Sequence, residues 1–398
     1  MKYCIIVPDG AADTPQPRLA GKTPLEAART PHMDRAAAGG LLGLVNHIPP
    51  RMPPGSDVAM MSVVGCDPER YYTGRGPLEA ADLGVEMRAG DWAVRCNFIT
   101  VSDGALADFT AGHLSTQEGA VLIEALNSAL GGEELTFIPG TSYRHVMVYR
   151  GSQALLAETV PPHDAVGQPV REISPRGEGA QFLIGLMERS REVLAEHEVN
   201  KVRVDLGKNP ANMIWLWGQG RRPEFPSFEE RFGCRGAVIS AVNLVRGIGR
   251  LIGWEVIKVP GATGYTDTDY AAKGRYAQDA LNRADLVLIH VEAPDEASHD
   301  RDLQSKVRAI ERVDAAIVGP IMAQAEQVGG LRLLIMPDHV TTVEDGKHKR
   351  GAVPFAMWGE GVKAASGGRY SEADAAAADI EVEHGWHMIS ELLGKPVA

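Results

Sequence analysis

The chain has 398 residues, 44% of them hydrophobic and 23% charged, with a formal net charge of -12. That composition is globular, the length suggests about two domains, and the acidic balance argues against nucleic acid or an anionic membrane as the main partner. Small anionic substrates stay open, because a local basic pocket or a bound cation overrides the global field.

The opening MKYCIIVPDG carries one Lys and a short apolar run, Cys4 to Val7, ahead of Pro8 and Asp9. It reads as a buried first strand rather than a secretory leader. Nowhere does an apolar stretch approach the ~18 residues that span a membrane. Cys4, Cys66, Cys96 and Cys234 are scattered, with no short paired spacing, and read as reduced thiols of a cytoplasmic protein. A helix is expected around residues 31–38, and PPGSDVAMMSVVG reads as a Pro-Gly loop with Ser56 at the start of a helix.

From about Met87 to Arg235 the pattern changes. Short strands (AVRCNFITV, LTFIPG, RHVMVYRG) mix with helices (TQEGAVLIEALNSAL, GAQFLIGLMERSREVLAEH), broken by VPPHDAVGQPV and GQGRRPEFPSF. Beyond it, VISAVNLV or its neighbour leads to WEVIKV. ADLVLIHVEAPD is a strand, DLQSKVRAIERVDAAIVGPIM a helix with Val307, Ile310, Val313 and Ile317 on one face, and LRLLIMPDH a strand. The order strand, helix, strand is a βαβ unit. SEADAAAADIEVEHG reads as helical. The expected fold is α/β: a mostly parallel sheet flanked by helices in a discontinuous domain, 1–86 and 236–398, with a smaller α+β domain, 87–235, inserted.

Four stretches carry chemistry. Asp9 follows a strand end, where ligands bind in open α/β sheets; opening a turn before Gly10 is an equally good account. Ser56 is a preferred N-cap, yet a helix start also stabilises an alkoxide or phosphate, and a nucleophilic Ser needs a base or a metal. In HVEAPDEASHDRD, Asp295 and His299 are four apart and share a helical face, a donor pair suited to a borderline metal; a solvated acidic loop is the plain alternative. In PDHVTTVEDGKHKRG, adjacent Asp338 and His339 bind one ion only on irregular backbone, and His348 would return from a loop. Singly each is weak. Together the seven side chains can hold two divalent ions, the clamp used for in-line phosphoryl transfer. AGKTP lacks the first Gly of a phosphate loop and RGIGRLIG has one residue too many for a dinucleotide fingerprint; both read as packing and turns.

PDGAAD, GKTPLEAARTPHMD, PGSDVAMMSVVGCDP, YYTGRGPLEAADLGV, GHLSTQEG, GTSYRH, WGQG, GATGYTDTDYAAKG, HVEAPDEASHD and PDHVTT…KHKRGAVPF come in order along nearly the whole chain. In them the chain resembles the archaeal-type 2,3-bisphosphoglycerate-independent phosphoglycerate mutases of the alkaline phosphatase superfamily. The resemblance implies that Ser56 carries the phosphoryl group between the two hydroxyls of glycerate. It implies one metal on Asp295, His299 and His348, and another on Asp9, Ser56, Asp338 and His339. Manganese is the expected ion, with magnesium, cobalt or zinc as alternatives and no 2,3-bisphosphoglycerate. The inserted domain would close over a small phosphorylated substrate. Arg144 and Lys273 are candidates to hold it, with Arg75 and His113 behind them, and a surface or capping role serves each as well. The same machinery would suit a phosphatase or a homoserine kinase, and a metal-binding protein without chemistry is a third reading.

Overall fold

The computed structural model describes residues 1–365 and 367–396. The chain forms two compact units, 1–72 with 225–398, and 73–224. In the first, an eight-stranded sheet runs in the order Glu381–Val382, Leu41–Val45, Val353–Gly359, Leu331–Ile335, Lys2–Pro8, Leu286–Val291, Gly236–Ile239, Glu255–Ile257. Only Val353–Gly359 runs against its neighbours; every other adjacent pair is parallel. The continuous apolar runs follow from this. Strands of a parallel sheet are covered on both faces, and Cys4, Ile5, Ile6 and Val7 are all fully buried.

Three neighbouring parallel strands set the site. Lys2–Pro8 lies between Leu331–Ile335 and Leu286–Val291, with Ile6 level with Ile335 and Pro8 with Val291. The residues after each strand therefore meet at one sheet edge, the carboxyl end, although they are remote in sequence. Asp9 follows the first. The helix Ala293–His299 follows the last, and Asp338 and His339 follow Leu331–Ile335 on irregular backbone.

The helix expected at 31–38 is Pro31–Ala38. The long C-terminal helix is Leu303–Val313 continued by Gly319–Val328, with a π turn, Asp314–Val318, between them. The widened turn lets both Asp314 carboxylate oxygens accept the backbone N–H groups of His32 and Met33, the otherwise unpaired donors that open Pro31–Ala38. Two expectations are corrected. VISAVNLV is strand only over Gly236–Ile239, because Asn243–Leu251 turns helical and buries Leu244, Val245 and Ile248. SEADAAAADIEVEHG is helical only over Glu372–Ala377, after which Glu381–Val382 becomes an edge strand.

The second unit is a five-stranded antiparallel sheet. Ala105–Asp108, Trp92–Ser102, Arg144–Tyr149 and Leu135–Thr141 lie side by side, and Met213–Arg221 also pairs with Trp92–Ser102. That last strand lies where the sequence suggests a Gly/Pro break. Its MIWLW half is wholly buried, and packing overrides the turn signal of GQG. Thr116–Leu130, opened by a Ser115/Glu118 capping box, and Ala180–Ala195 cover the sheet with Leu122, Leu126, Leu183 and Met187. The units change over at 72/73 and 224/225, whereas the sequence suggests 86/87 and 235/236. The helix Arg75–Asp82 belongs with the second sheet because Gly76 backs onto Ala93, where a Cβ would meet the carbonyl oxygen at 2.4 Å. Phe228 returns to the first unit by stacking edge-on against Trp254.

Candidate active site

Ser56 opens the helix Ser56–Val63, but Gly55 occupies the cap position and the Ser56 side chain does not cap. Its Oγ instead lies 3.0 Å from His339 Nε2. The capping account of Ser56 therefore fails, and among the first helix N–H groups that of Val58 donates to Asp57 Oδ1 at 3.0 Å. Arg350 fixes the loop ahead of it, donating to the carbonyls of Pro50 at 2.7 Å and Pro49 at 3.3 Å.

The ligand candidates fall into two clusters, Asp295/His299/His348 and Asp9/Asp338/His339, each with donor atoms within 4.8 Å of one another. The first begins on one helix: Asp295 and His299 meet at i and i+4, with His299 Nε2 3.1 Å from Asp295 Oδ2. His348 arrives on a strand rather than a loop, in the ribbon Val340–Thr342 with Lys347–Lys349, where it sits opposite Thr341. Its Nε2 lies 3.4 Å from Asp295 Oδ1 and 3.1 Å from His299 Nε2. The basic run around His348 stabilises this ribbon and its surroundings, since Lys349 pairs with Asp345 in the turn and Arg350 holds the Ser56 loop. In the second cluster His339 Nε2 is 3.4 Å from both Asp9 Oδ1 and Asp338 Oδ2. Asp338 Oδ1 accepts the backbone N–H groups of Gly10 and His339.

Both donor sets fit divalent cations. Asp9 Oδ1 and Asp338 Oδ2 are buried oxygens without a hydrogen-bond partner, an arrangement that is costly unless a cation completes it. Asp295, by contrast, is not a solvated acid; it is 4% exposed.

Comparisons with known proteins show the family. Residues 37–200 match the family model for 2,3-bisphosphoglycerate-independent phosphoglycerate mutase. A protein of Geobacter sulfurreducens named as a probable member is 49% identical over 99% of this chain and 100% of its own. A Methanothrix thermoacetophila phosphoglycerate mutase of this type is 47% identical, with the same coverage. The chain belongs to the 2,3-bisphosphoglycerate-independent phosphoglycerate mutase family. Among solved structures it resembles a Pyrococcus horikoshii protein, with TM-score 0.82 and 29% identity over 99% of this chain and 98% of that one. The cofactor-independent phosphoglycerate mutase of Thermoplasma acidophilum gives TM-score 0.66 and 28% identity, covering 99% of each chain.

The electrostatics suit sites for cations. Burial, then the charges of Asp338 and Asp295, push the Asp9 carboxyl well above its usual range. Burial acts the same way on Asp295, but hydrogen bonds from His299 and His348 outweigh it and hold that carboxyl well below the usual range. Burial opposes a proton on His299, yet the contact with Asp295 prevails and lifts it to about 9. Burial holds His339 below its ordinary value, so its Nε2 suits a lone-pair donor. His290 is fully buried with Nε2 2.9 Å from Asp9 Oδ2. Sequence reasoning does not single it out; the available signal is a lone imidazole inside the apolar strand LVLIHV.

The proposed substrate contacts fare unevenly. Arg75 Nε and Arg95 Nε lie 3.0 and 2.9 Å from the two carboxylate oxygens of Glu79. Their guanidinium carbons sit 5.9 and 4.2 Å from the Trp217 ring centre. Burial alone would raise the Glu79 carboxyl, but Arg95, Arg75 and the nearby Arg144 hold it low. Arg95, a lone charge in the buried strand WAVRCNFITVS, is the member that sequence reasoning misses. Lys273 is fully buried, its ammonium donates to the His290 carbonyl at 3.1 Å, and burial lowers it to about 8, so it braces the strand carrying His290. His113 is exposed on a turn, its backbone N–H donating to Thr110 Oγ1.

Proposed function

We propose that this chain interconverts 3-phosphoglycerate and 2-phosphoglycerate through a phosphoserine on Ser56. The carrying observation is the position of Ser56 Oγ, at a helix start and 3.0 Å from His339, beside two clusters of carboxylate and imidazole donors. Asp295, His299 and His348 would hold one divalent ion, and Asp9, Ser56, Asp338 and His339 the other, manganese being the favoured metal. Two such ions lower the pKa of a serine hydroxyl and neutralise charge on phosphate oxygens.

The chain's own groups do the rest. Ser56 Oγ forms the bond to phosphorus as the bond from phosphorus to the glycerate oxygen breaks. The released oxygen takes a proton. The proton that Ser56 gives up on attack balances the one taken by the released glycerate oxygen. In the second half the other glycerate hydroxyl loses a proton and bonds phosphorus as the bond to Ser56 Oγ breaks, and Ser56 Oγ takes a proton back, so atoms and protons balance. The helix N-terminus at Ser56 favours the anionic phosphoryl group. Arg75 and Arg144 are the cationic candidates for the carboxylate of glycerate, and Glu79 holds Arg75 Nε at 3.0 Å. The freed glycerate must be retained and water kept from the phosphoserine, which would otherwise hydrolyse.

The reading entails a cytoplasmic enzyme acting on a small phosphorylated substrate, with no nucleic-acid or membrane partner. All four cysteines are free, in keeping with a reducing compartment. No helix among the described residues is long and apolar enough to cross a membrane. The test is incubation with manganese and 3-phosphoglycerate, without ATP or bisphosphoglycerate, followed by phosphorus NMR. Formation of 2-phosphoglycerate without inorganic phosphate is expected, EDTA should stop it, and manganese should restore it. Release of phosphate instead would make the site a phosphatase. Turnover only with ATP and homoserine would make it a kinase.

A further inference from the structure

Between the two donor clusters lies a side chain that neither needs as a ligand. Thr341 is fully buried. Its Oγ1 donates to Asp295 Oδ1 at 2.6 Å and lies 3.0 Å from His339 Nδ1. Asp295 belongs to one cluster and His339 to the other. The backbone fixes this placement from both sides: Thr341 N–H donates to the Ala12 carbonyl at 3.1 Å, and buried Lys306 donates to the Thr341 carbonyl at 2.6 Å. Gly10 leaves the room, since a Cβ there would stand 2.5 Å from Asp295 Oδ1 and 2.6 Å from Thr341 Oγ1.

The direction of each hydrogen bond follows from donor and acceptor chemistry. A carboxylate that coordinates a cation carries no proton, so it accepts from the hydroxyl. A hydroxyl has one proton, and Thr341 spends it on Asp295. What faces His339 is then an oxygen lone pair, so Nδ1 must carry the ring proton. Nε2 is left bare, pointing at Ser56 Oγ, 3.0 Å away. One side chain thus orients a ligand in each cluster and selects the imidazole tautomer that a metal, or the serine proton, requires.

We propose that Thr341 is a positioning residue that couples the two metal clusters by fixing the His339 tautomer and the Asp295 rotamer together. The inference rests on the two-metal reading above. Removing the hydroxyl leaves His339 Nδ1 and Asp295 Oδ1 buried without that partner, so the cost falls on both sites at once.

The test is a calorimetric manganese titration of wild type, Thr341→Val and Thr341→Ser, with kcat and KM measured alongside. Thr341→Val keeps the shape and removes the hydroxyl. It should weaken both binding events by about 10- to 100-fold, the usual effect of removing a partner behind a ligand, and lower kcat with little change in KM. Thr341→Ser should restore both affinities. Wild-type affinity at both sites in Thr341→Val, or weakening confined to one site, overturns the coupling while leaving the two-metal reading intact. Wild type that binds no manganese overturns that reading and the coupling with it. Nitrogen NMR of the metal-free wild type needs no variant fold: the His339 signals, assigned by their loss in His339→Gln, should show Nδ1 protonated and Nε2 bare. The opposite tautomer overturns the proposal.

Discussion

Ser56 Oγ and His339 Nε2 stand 3.0 Å apart, although 283 residues separate them in the chain. The contact joins a helix start to the irregular backbone after a strand end. Ser56→Ala removes the oxygen and nothing that braces the fold, since Gly55 holds the cap position. Mutase activity should fall by on the order of 10⁴-fold or more. Three donors per cluster remain, so bound metal should stay close to two ions per chain by atomic emission. Near-normal turnover in this variant would rule out a phosphoserine route.

The His299 imidazole titrates near 9 in the metal-free chain, against an ordinary value of 6.5. At neutral pH it therefore carries a proton that an incoming cation must expel. Apparent affinity at this site should rise with pH, by up to about tenfold per unit below 9 for one displaced proton. In the absence of metal the sign for stability is opposite. A raised folded pKa stabilises fully below about 6.5 and loses that contribution as pH climbs through 9. Calorimetry in buffers of different ionisation enthalpy at pH 6.5, 7.5 and 8.5 measures the proton release. Affinity that falls as pH rises over this range would contradict the assignment.

How much of this was legible in the sequence depends on what kind of signal a residue leaves. Asp9, Asp338 and His339 show themselves because polar ligand types interrupt apolar strands at their ends, and a parallel sheet collects such ends at one edge. Asp295 and His299 show themselves by helical spacing. Thr341 leaves no such mark, because a threonine in a short strand is ordinary and its role exists only once Asp295 and His339 are placed in space. The burial of Lys273 is likewise hidden in YAAKG, since only the packing of Tyr270–Leu281 shows that its side chain is sealed. The unit boundaries shift because Arg75–Asp82 is amphipathic and could pack on either core; the close approach of Gly76 to Ala93 decides it.

Gly10 adopts φ +60°, a backbone region that side chains disfavour, and its missing Cβ makes space for the Asp295–Thr341 hydrogen bond. Gly10→Ala should cost about 1–3 kcal/mol in stability from backbone strain and the forced shift of both partners. The metal-free melting temperature should drop. Manganese affinity should drop as well, because Asp295 is pushed from its position. A variant with lowered melting but intact manganese binding would separate the turn from the site and refute this account of Gly10.

Arg95 and Arg75 share Glu79 but are not equivalent. Arg95 is 3% exposed and its side chain is enclosed with Glu79, whereas the Arg75 side chain is 30% exposed. Removing one partner of a buried pair leaves the other charge unmatched in a poor solvent, a loss of ~3 kcal/mol. Arg95→Ala should therefore lower the melting temperature markedly. Arg75→Ala leaves Glu79 paired with Arg95, and Arg144 is exposed, so both variants should melt close to wild type. If these two donors hold the substrate carboxylate, each should raise KM for 3-phosphoglycerate, by about tenfold for a lost charge-assisted hydrogen bond. Steady-state kinetics beside thermal melts separates the roles. Arg144→Ala with unchanged KM would remove it from the substrate set, and Arg95→Ala with unchanged melting would show that Glu79 does not need its buried partner.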